Sequence, residues 1–182
     1  MVNIYKLELT NLQQRILRLL FVKSGTQLNA LAIAKLLGVS QPAVSKALPF
    51  LSDKGFIKVD KDKNSGRLSI SLNTENNNVM QLKRADNLRV IYESGFAEFI
   101  EKEFAGGTII LFGSYSRGED NIKSDIDIAV IGRKDKMVSL ESFEKALERK
   151  ININFYESLK KIHKNLLENI FNGIVLYGGI EL

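Results

Sequence analysis

Apolar residues recur at helical spacing three times in the first fifty-odd positions. In "LQQRILRLLFV", Leu12–Val22, the side chains of Leu12, Ile16, Leu19 and Leu20 share one side. Gly25 and its polar neighbours end that segment. In "LNALAIAKLLGVS", Leu28, Leu31, Ala32 and Leu36 form a second stripe, and Gly38 permits the left-handed turn that closes a helix. Ser40 is a good N-cap for a third helix, with Pro42 tolerated in its first turn. Val44, Ala47, Leu48 and Leu51 face inward. Pro49 removes a backbone donor in the middle of this helix, which predicts a kink or an early end there. After Gly55 the pattern changes to strict alternation. "FIKVD" and "RLSISLN" flank the polar tip "KDKNSG" and predict a hairpin.

"NTENNNV", Asn73–Val79, is a polar boundary. A long helical pattern follows through Leu82, Leu88, Ile91, Phe96, Phe99 and Ile100, with Gly95 as a break and "AGG" at its close. The elements then alternate. Strands are predicted at Thr108–Phe112, Ile126–Ile131 and Ile151–Tyr156. Helices are predicted near Tyr115–Gly118, at Leu140–Arg149 and at Leu159–Phe171, and "GIVLYGGIEL" reads as an extended end. The fold class is α+β: helices and a hairpin in a first domain, residues 1–78, then a small mixed sheet with helices in a second, residues 79–182.

Charge sharpens this division. The chain of 182 residues carries a net charge of +5. Residues 1–78 hold 11 Lys and Arg against 5 Asp and Glu, and residues 79–182 hold 15 against 16. The first domain is therefore the basic one and a candidate for nucleic acid, since phosphate neutralisation dominates non-specific affinity. Cysteine is absent, which excludes disulfides and thiolate metal sites. No apolar run approaches the roughly 20 residues of a membrane span, and the N-terminus lacks the layout of a signal peptide. The expectation is a cytoplasmic protein without a membrane partner.

Helix, short turn, helix is the layout that places a recognition helix in the major groove. Near its start the third helix exposes Gln41, Ser45 and Lys46, residue types able to meet base edges and phosphates. Lys58, Lys61, Lys63 and Arg67 of the hairpin are placed to touch phosphates. Asn11–Asn73, and "LAIAKLLGVSQPAVSKALPFLSDKGFIKVD" above all, resembles a winged helix-turn-helix domain of small prokaryotic regulators. The resemblance implies binding of double-stranded DNA, and a homodimer is a further expectation.

The densest chemistry lies in "GSYSRGEDNIKSDIDIAV", Gly113–Val130. Alternation along a strand sends Asp125 and Asp127 to the same side, with Ile126 and Ile128 into the core. Two adjacent carboxylates repel, and a hard divalent cation relieves that repulsion. Gly113 lets backbone approach a phosphate, Ser114 adds a hydroxyl, and the helix start that follows offers N–H groups. Gly118 turns the chain, and Ser124 fixes the approach to Asp125. Arg117 is a further candidate for a phosphate contact, balanced against a solvated surface role.

Gly113-Ser114, Gly118 and Ser124-Asp125-x-Asp127 closely resemble the signature of the DNA polymerase β-like nucleotidyltransferases, most of all the minimal, MNT-type members. The resemblance spans roughly residues 84–177. It implies that Gly113 and Ser114 bind the triphosphate of ATP or another nucleotide. It also implies that Asp125 and Asp127 are the catalytic pair holding Mg²⁺ (or Mn²⁺). The implied chemistry is transfer of a nucleoside monophosphate to a hydroxyl of a protein or small molecule, and a HEPN-type protein is an implied partner. Active members carry a third carboxylate on a later strand. In "KININFYE" the corresponding positions are Asn152 or Asn154, both amides that cannot accept the hydroxyl's proton. Glu157 and Glu144 are the nearby acids that could substitute.

Overall fold

The computed structural model describes residues 9–61 and 68–180, which fall in two compact units, Met1–Val79 and Met80–Leu182. No helix among the described residues is long and apolar enough to cross a membrane.

The first unit packs three helices, α1 (Asn11–Val22), α2 (Ala30–Leu37) and α3 (Gln41–Asp53), against a hairpin of β1 (Ile57–Lys61) and β2 (Leu68–Leu72). Thr10 begins α1 with a capping box: its hydroxyl accepts from Gln13 N–H and the Gln13 side chain accepts from Thr10 N–H. Asn29 and Ser40 cap α2 and α3 by accepting from the Ala32 and Ala43 N–H groups, without a reciprocal side-chain bond, and Gly38, at φ 65°, ends α2. Ile16, Leu20, Ile33, Val44, Leu51 and Ile70 are almost wholly buried and form the core. β1 and β2 pair antiparallel from Ile57–Leu72 to Lys61–Leu68, and Leu28 adds an isolated bridge to Ile70.

The helix does not end early at Pro49: α3 runs through it to Asp53. Pro49 and Ser45 are both exposed. Ser45, whose carbonyl loses its i+4 donor, thus belongs to the exposed face of α3 and not to the core. The helix nonetheless carries the usual penalty of an interior proline, about 3 kcal/mol relative to alanine.

The second unit is built on a four-stranded sheet in the order β5-β4-β3-β6. Its strands are β3 (Thr108–Phe112), β4 (Ile126–Ile131), β5 (Ile151–Tyr156) and β6 (Ile174–Tyr177). β3 pairs antiparallel with β4 and β6, whereas β4 and β5 run parallel, so the sheet is mixed as expected. The long helical pattern divides at Gly95, φ 74°, into α4 (Asn77–Glu93) and α5 (Phe96–Glu103). A five-residue helix α6 (Gly113–Arg117) follows β3, and α7 (Glu141–Leu147) precedes β5. The single helix expected over Leu159–Phe171 is instead a 3₁₀ turn, Leu159–Lys161, and then α8 (Lys164–Phe171).

Alternation gives the sheet two apolar faces. Ile109, Leu111, Ile126, Ile128, Val130 and Ile151 pack with Ile91, Phe96, Ile100 and Leu147 of the helices. Ile110, Phe112 and Ala129 pack on the other face with Ile162 and Ile170. Asp127 and Asn152 occupy this second face at the end of the sheet where β4 and β5 begin.

Candidate functional site

The site is assembled by register. Phe112 pairs with Asp127 across β3 and β4, and Asp127 pairs with Asn152 across β4 and β5. The last residue of β3 and the first turns of two parallel strands thus meet at one sheet end. Gly113 follows Phe112 with φ 77°. A β-carbon on Gly113 would stand 2.6 Å from Asp127 Oδ2. Only a glycine leaves room for that carboxylate and also adopts this backbone without strain.

Asn152 settles which strand position faces the aspartates. Its Nδ2 donates to Asp125 Oδ2 at 3.1 Å and to Asp127 Oδ1 at 3.3 Å. Asn154 is opposite Ala129, further along the strand. A donor between two carboxylates is the arrangement electrostatics demands, because an amide oxygen there would be repelled. The Asn152 amide thus stands where a third carboxylate is expected, and it offers partial positive charge to the pair.

Neither suggested substitute acid joins this group. Glu157 lies beyond the far end of β5, roughly 16 Å further along the strand than Asn152, and is paired with Lys161. Glu144 shares with Asp125 a cleft of about 390 Å³, together with Lys123, Glu148, Arg149 and Lys150. Its carboxylate accepts from Ile151 N–H at 3.0 Å and so anchors the start of β5. Among the described residues no three His, Cys, Asp or Glu side chains are grouped to hold a metal ion, in keeping with two carboxylates and one amide.

The remaining motif residues surround this centre in different ways. Ser114 is half-buried in α6, and its carbonyl accepts from Glu119 N–H. The Ser116 hydroxyl donates to Gly113 O and stiffens the turn. Ser124 accepts from Asn121 N–H at 3.0 Å, so its hydroxyl shapes the loop that delivers Asp125. Arg117 donates to Glu119 and, at 2.8 Å, to Asn169 of α8, which holds its guanidinium against the second face. Tyr156 also lies on this face. Burial, and secondarily the Asp127 charge, raises its phenol above the usual tyrosine range.

A buried polar cluster behind the motif loop is absent from the apolar stripe Leu82, Leu88 and Ile91. Lys83 and Asn87 stand one turn apart on α4, in line with buried Ile91. Lys83 Nζ donates to the carbonyls of Gly118 at 3.1 Å and Asp120 at 2.6 Å, and to the Asp120 carboxylate. Asn87 donates to Tyr115 O and to Asp120, while Arg149 reaches the other Asp120 oxygen at 3.3 Å. Burial lowers the Lys83 pKa, and Asp120 opposes that shift. Gly118, φ 76°, lets the loop lie directly on α4: a β-carbon there would be 2.6 Å from Met80 O. The cluster fixes three carbonyls of the segment between Gly113 and Asp125. The signal for it is the helical spacing itself, with Lys83, Asn87 and Ile91 on one line.

In the first unit, Gln41, Ser45 and Lys46 are exposed on α3, and Lys61 is exposed at the end of β1. Lys58 is paired with Glu75 at 2.6 Å. Lys63 and Arg67 lie outside the described residues.

Both halves match known families. Residues 96–180 match the family Polymerase beta, Nucleotidyltransferase. Residues 9–69 match the MarR family. The first match spans Gly113, Asp125, Asp127 and Asn152, and the second spans α1 to the start of β2. No curated protein matches the chain. Among solved structures, a mutant of Lactococcus lactis ZitR is 22% identical, with 58% of this chain and 68% of that one covered and a TM-score of 0.42. The S. aureus MepR–DNA complex is 29% identical over 53% and 71%, with a TM-score of 0.38. AdcR of Streptococcus pyogenes is 21% identical over 57% and 72%, with a TM-score of 0.42.

Proposed function

We propose that this protein is a DNA-binding regulator whose second unit binds a nucleoside triphosphate with a divalent cation and transfers nucleotide weakly or not at all. The observation that carries the reading is the Asp125–Asp127–Asn152 group set against Gly113. Two carboxylates supply hard oxygen ligands suited to Mg²⁺ or Mn²⁺, and the Asn152 amide would add its oxygen only by turning over, with the cation taking the place its nitrogen now holds. Asn152 already places a donor between the carboxylates, which marks the position a cation would favour. When bound, the cation would offset the charge of the carboxylates and the phosphates. Gly113 and Ser114 lie beside Asp127 and are the residues offered to the phosphates, with Arg117 and Ser124 at the margin.

Binding and transfer separate at Asn152. Attack by a hydroxyl needs a group to take its proton, and an amide has no capacity for it. Glu157 is too distant and Glu144 is committed to Ile151 N–H. A site that holds nucleotide without consuming it suits a sensor attached to a regulator. The first unit supports the other half of the reading: it matches the MarR family, carries the excess positive charge and exposes Gln41, Ser45 and Lys46 on α3. A homodimer and a HEPN-type protein partner remain part of the proposal.

Calorimetry with Mg-ATP on the wild type and on Asp125→Asn/Asp127→Asn tests the nucleotide half. The wild type should bind only with the metal present, and the double variant should not bind. Equal affinity in both proteins, or none in the wild type, sinks the reading. Robust metal-dependent transfer of labelled nucleotide by the wild type would instead establish an active transferase.

A further inference from the structure

We infer that Pro49 reads sequence, its ring packing on the C5-methyl group of a thymine in the major groove. The inference rests on the DNA-binding reading above and assigns a base-reading role to a residue otherwise notable only as a helix breaker.

Pro49 sits inside α3 and removes a helical donor, yet the helix continues to Asp53. Burial does not offset the cost. The residue is exposed, on the side of α3 away from buried Val44, Ala47, Leu48 and Leu51. A residue that weakens its own helix and packs into no core is a candidate for a contact made outside the unit. Its position specifies that contact. Pro42, Lys46 and Pro49 are spaced by four and three residues, so they form one line along the exposed face. The two rings bracket the lysine.

The chemistry then selects the ligand. A proline ring has neither donor nor acceptor, so it cannot distinguish bases by hydrogen bonds. The thymine methyl is the apolar feature that the major groove presents, while Lys46 can donate to guanine O6 and N7. The line Pro42-Lys46-Pro49 therefore fits a guanine flanked by thymine better than a run of guanine and cytosine.

The test uses the full chain. Duplexes selected by the wild type from a random pool are remade with uracil in place of thymine, one position at a time. Uracil keeps every hydrogen-bonding group and loses only the methyl. At one or two positions it should weaken the wild type about three- to fivefold, the worth of one buried methyl-sized group. Pro49→Ala should lose that discrimination while its melting temperature rises, because the helix regains its donor. Selective binding by the wild type with no penalty for uracil anywhere, or the same penalty in Pro49→Ala, overturns the inference alone. A wild type that selects no sequence overturns the DNA-binding reading and the inference with it.

Discussion

Asn152 lies directly across from Asp127 in the parallel β4–β5 pair and gives its side-chain amide to that carboxylate at 3.3 Å. The same nitrogen reaches Asp125. Replacing Asn152 with aspartate exchanges this shared donor for a third negative charge. Without metal, Asn152→Asp should melt earlier than the wild type, because like charges in one site oppose ionisation. With Mn²⁺ or Mg²⁺ the order should reverse, and metal affinity should rise about tenfold, equivalent to about 1.4 kcal/mol. Thermal melts with and without metal check this by mass action. A variant that is destabilised equally in both conditions would show that Asn152 serves packing and not the ion site.

Gly113 tests the cradle from the other side. Gly113→Ala places a β-carbon where Asp127 Oδ2 sits, 2.6 Å away, on a backbone with φ 77°. The left-handed conformation alone costs a non-glycine residue about 1–2 kcal/mol. The carboxylate must also turn aside, so Mg-ATP affinity should fall by at least about tenfold, beyond what the loss of stability explains. Unchanged nucleotide affinity in a folded Gly113→Ala protein would separate Asp127 from the nucleotide site.

Several parts of this arrangement were open to reading from residue pattern, and others were not. The first unit is legible because its helices carry their own caps: Ser40 and Gly38 mark their ends in sequence. The Asp125-x-Asp127 alternation is legible because a strand has only two faces. The choice between Asn152 and Asn154 is not, since both share a face and only the pairing of Asp127 with Asn152 decides. Glu157 looked available because proximity in sequence conceals the length of a strand. Lys83 was missed for a different reason. Its i+4 line with Asn87 and Ile91 is in the sequence, but a lysine on a helix reads as solvated until Asp120, 37 residues later, supplies its buried partner.

That buried lysine has a pH signature. Burial holds the Lys83 pKa below its ordinary value of 10.5, with Asp120 opposing the shift. The unfolded chain therefore binds this proton more strongly than the folded one. Between the folded and unfolded pKa values the group's contribution to stability rises with pH, and below the folded value it is constant. Lys83→Met should abolish that rise. It should also cost about 1–3 kcal/mol near neutral pH, because the Gly118 and Asp120 carbonyls lose their buried donor while Arg149 and Asn87 still hold the Asp120 carboxylate. Denaturant midpoints measured from pH 7 to 10.5 check both statements. An unaltered pH profile in the variant would contradict the assignment of the slope to Lys83.

Lys46 and Lys61 should separate the two ways a regulator holds DNA. Lys46 lies on the outward line of α3, the line proposed to meet base edges, and Lys61 is exposed at the end of β1. Contacts to phosphate release counterions, so each one lost reduces the slope of log affinity against log salt by about one. Contacts to bases leave that slope nearly unchanged and relax the preference at one position. Lys46→Ala is therefore expected to cost about 1–3 kcal/mol on the selected duplex and much less on a scrambled one. Lys61→Ala is expected to weaken both duplexes alike and to flatten the salt dependence. Titrations of full-length protein at 50–300 mM salt, roughly the range over which such slopes are resolved, distinguish them. If both variants flatten the slope equally and neither changes preference, α3 contacts only the backbone. Salt-insensitive affinity in the wild type would remove the DNA interface altogether, because an excess of positive charge that neutralises no phosphate has no counterions to release.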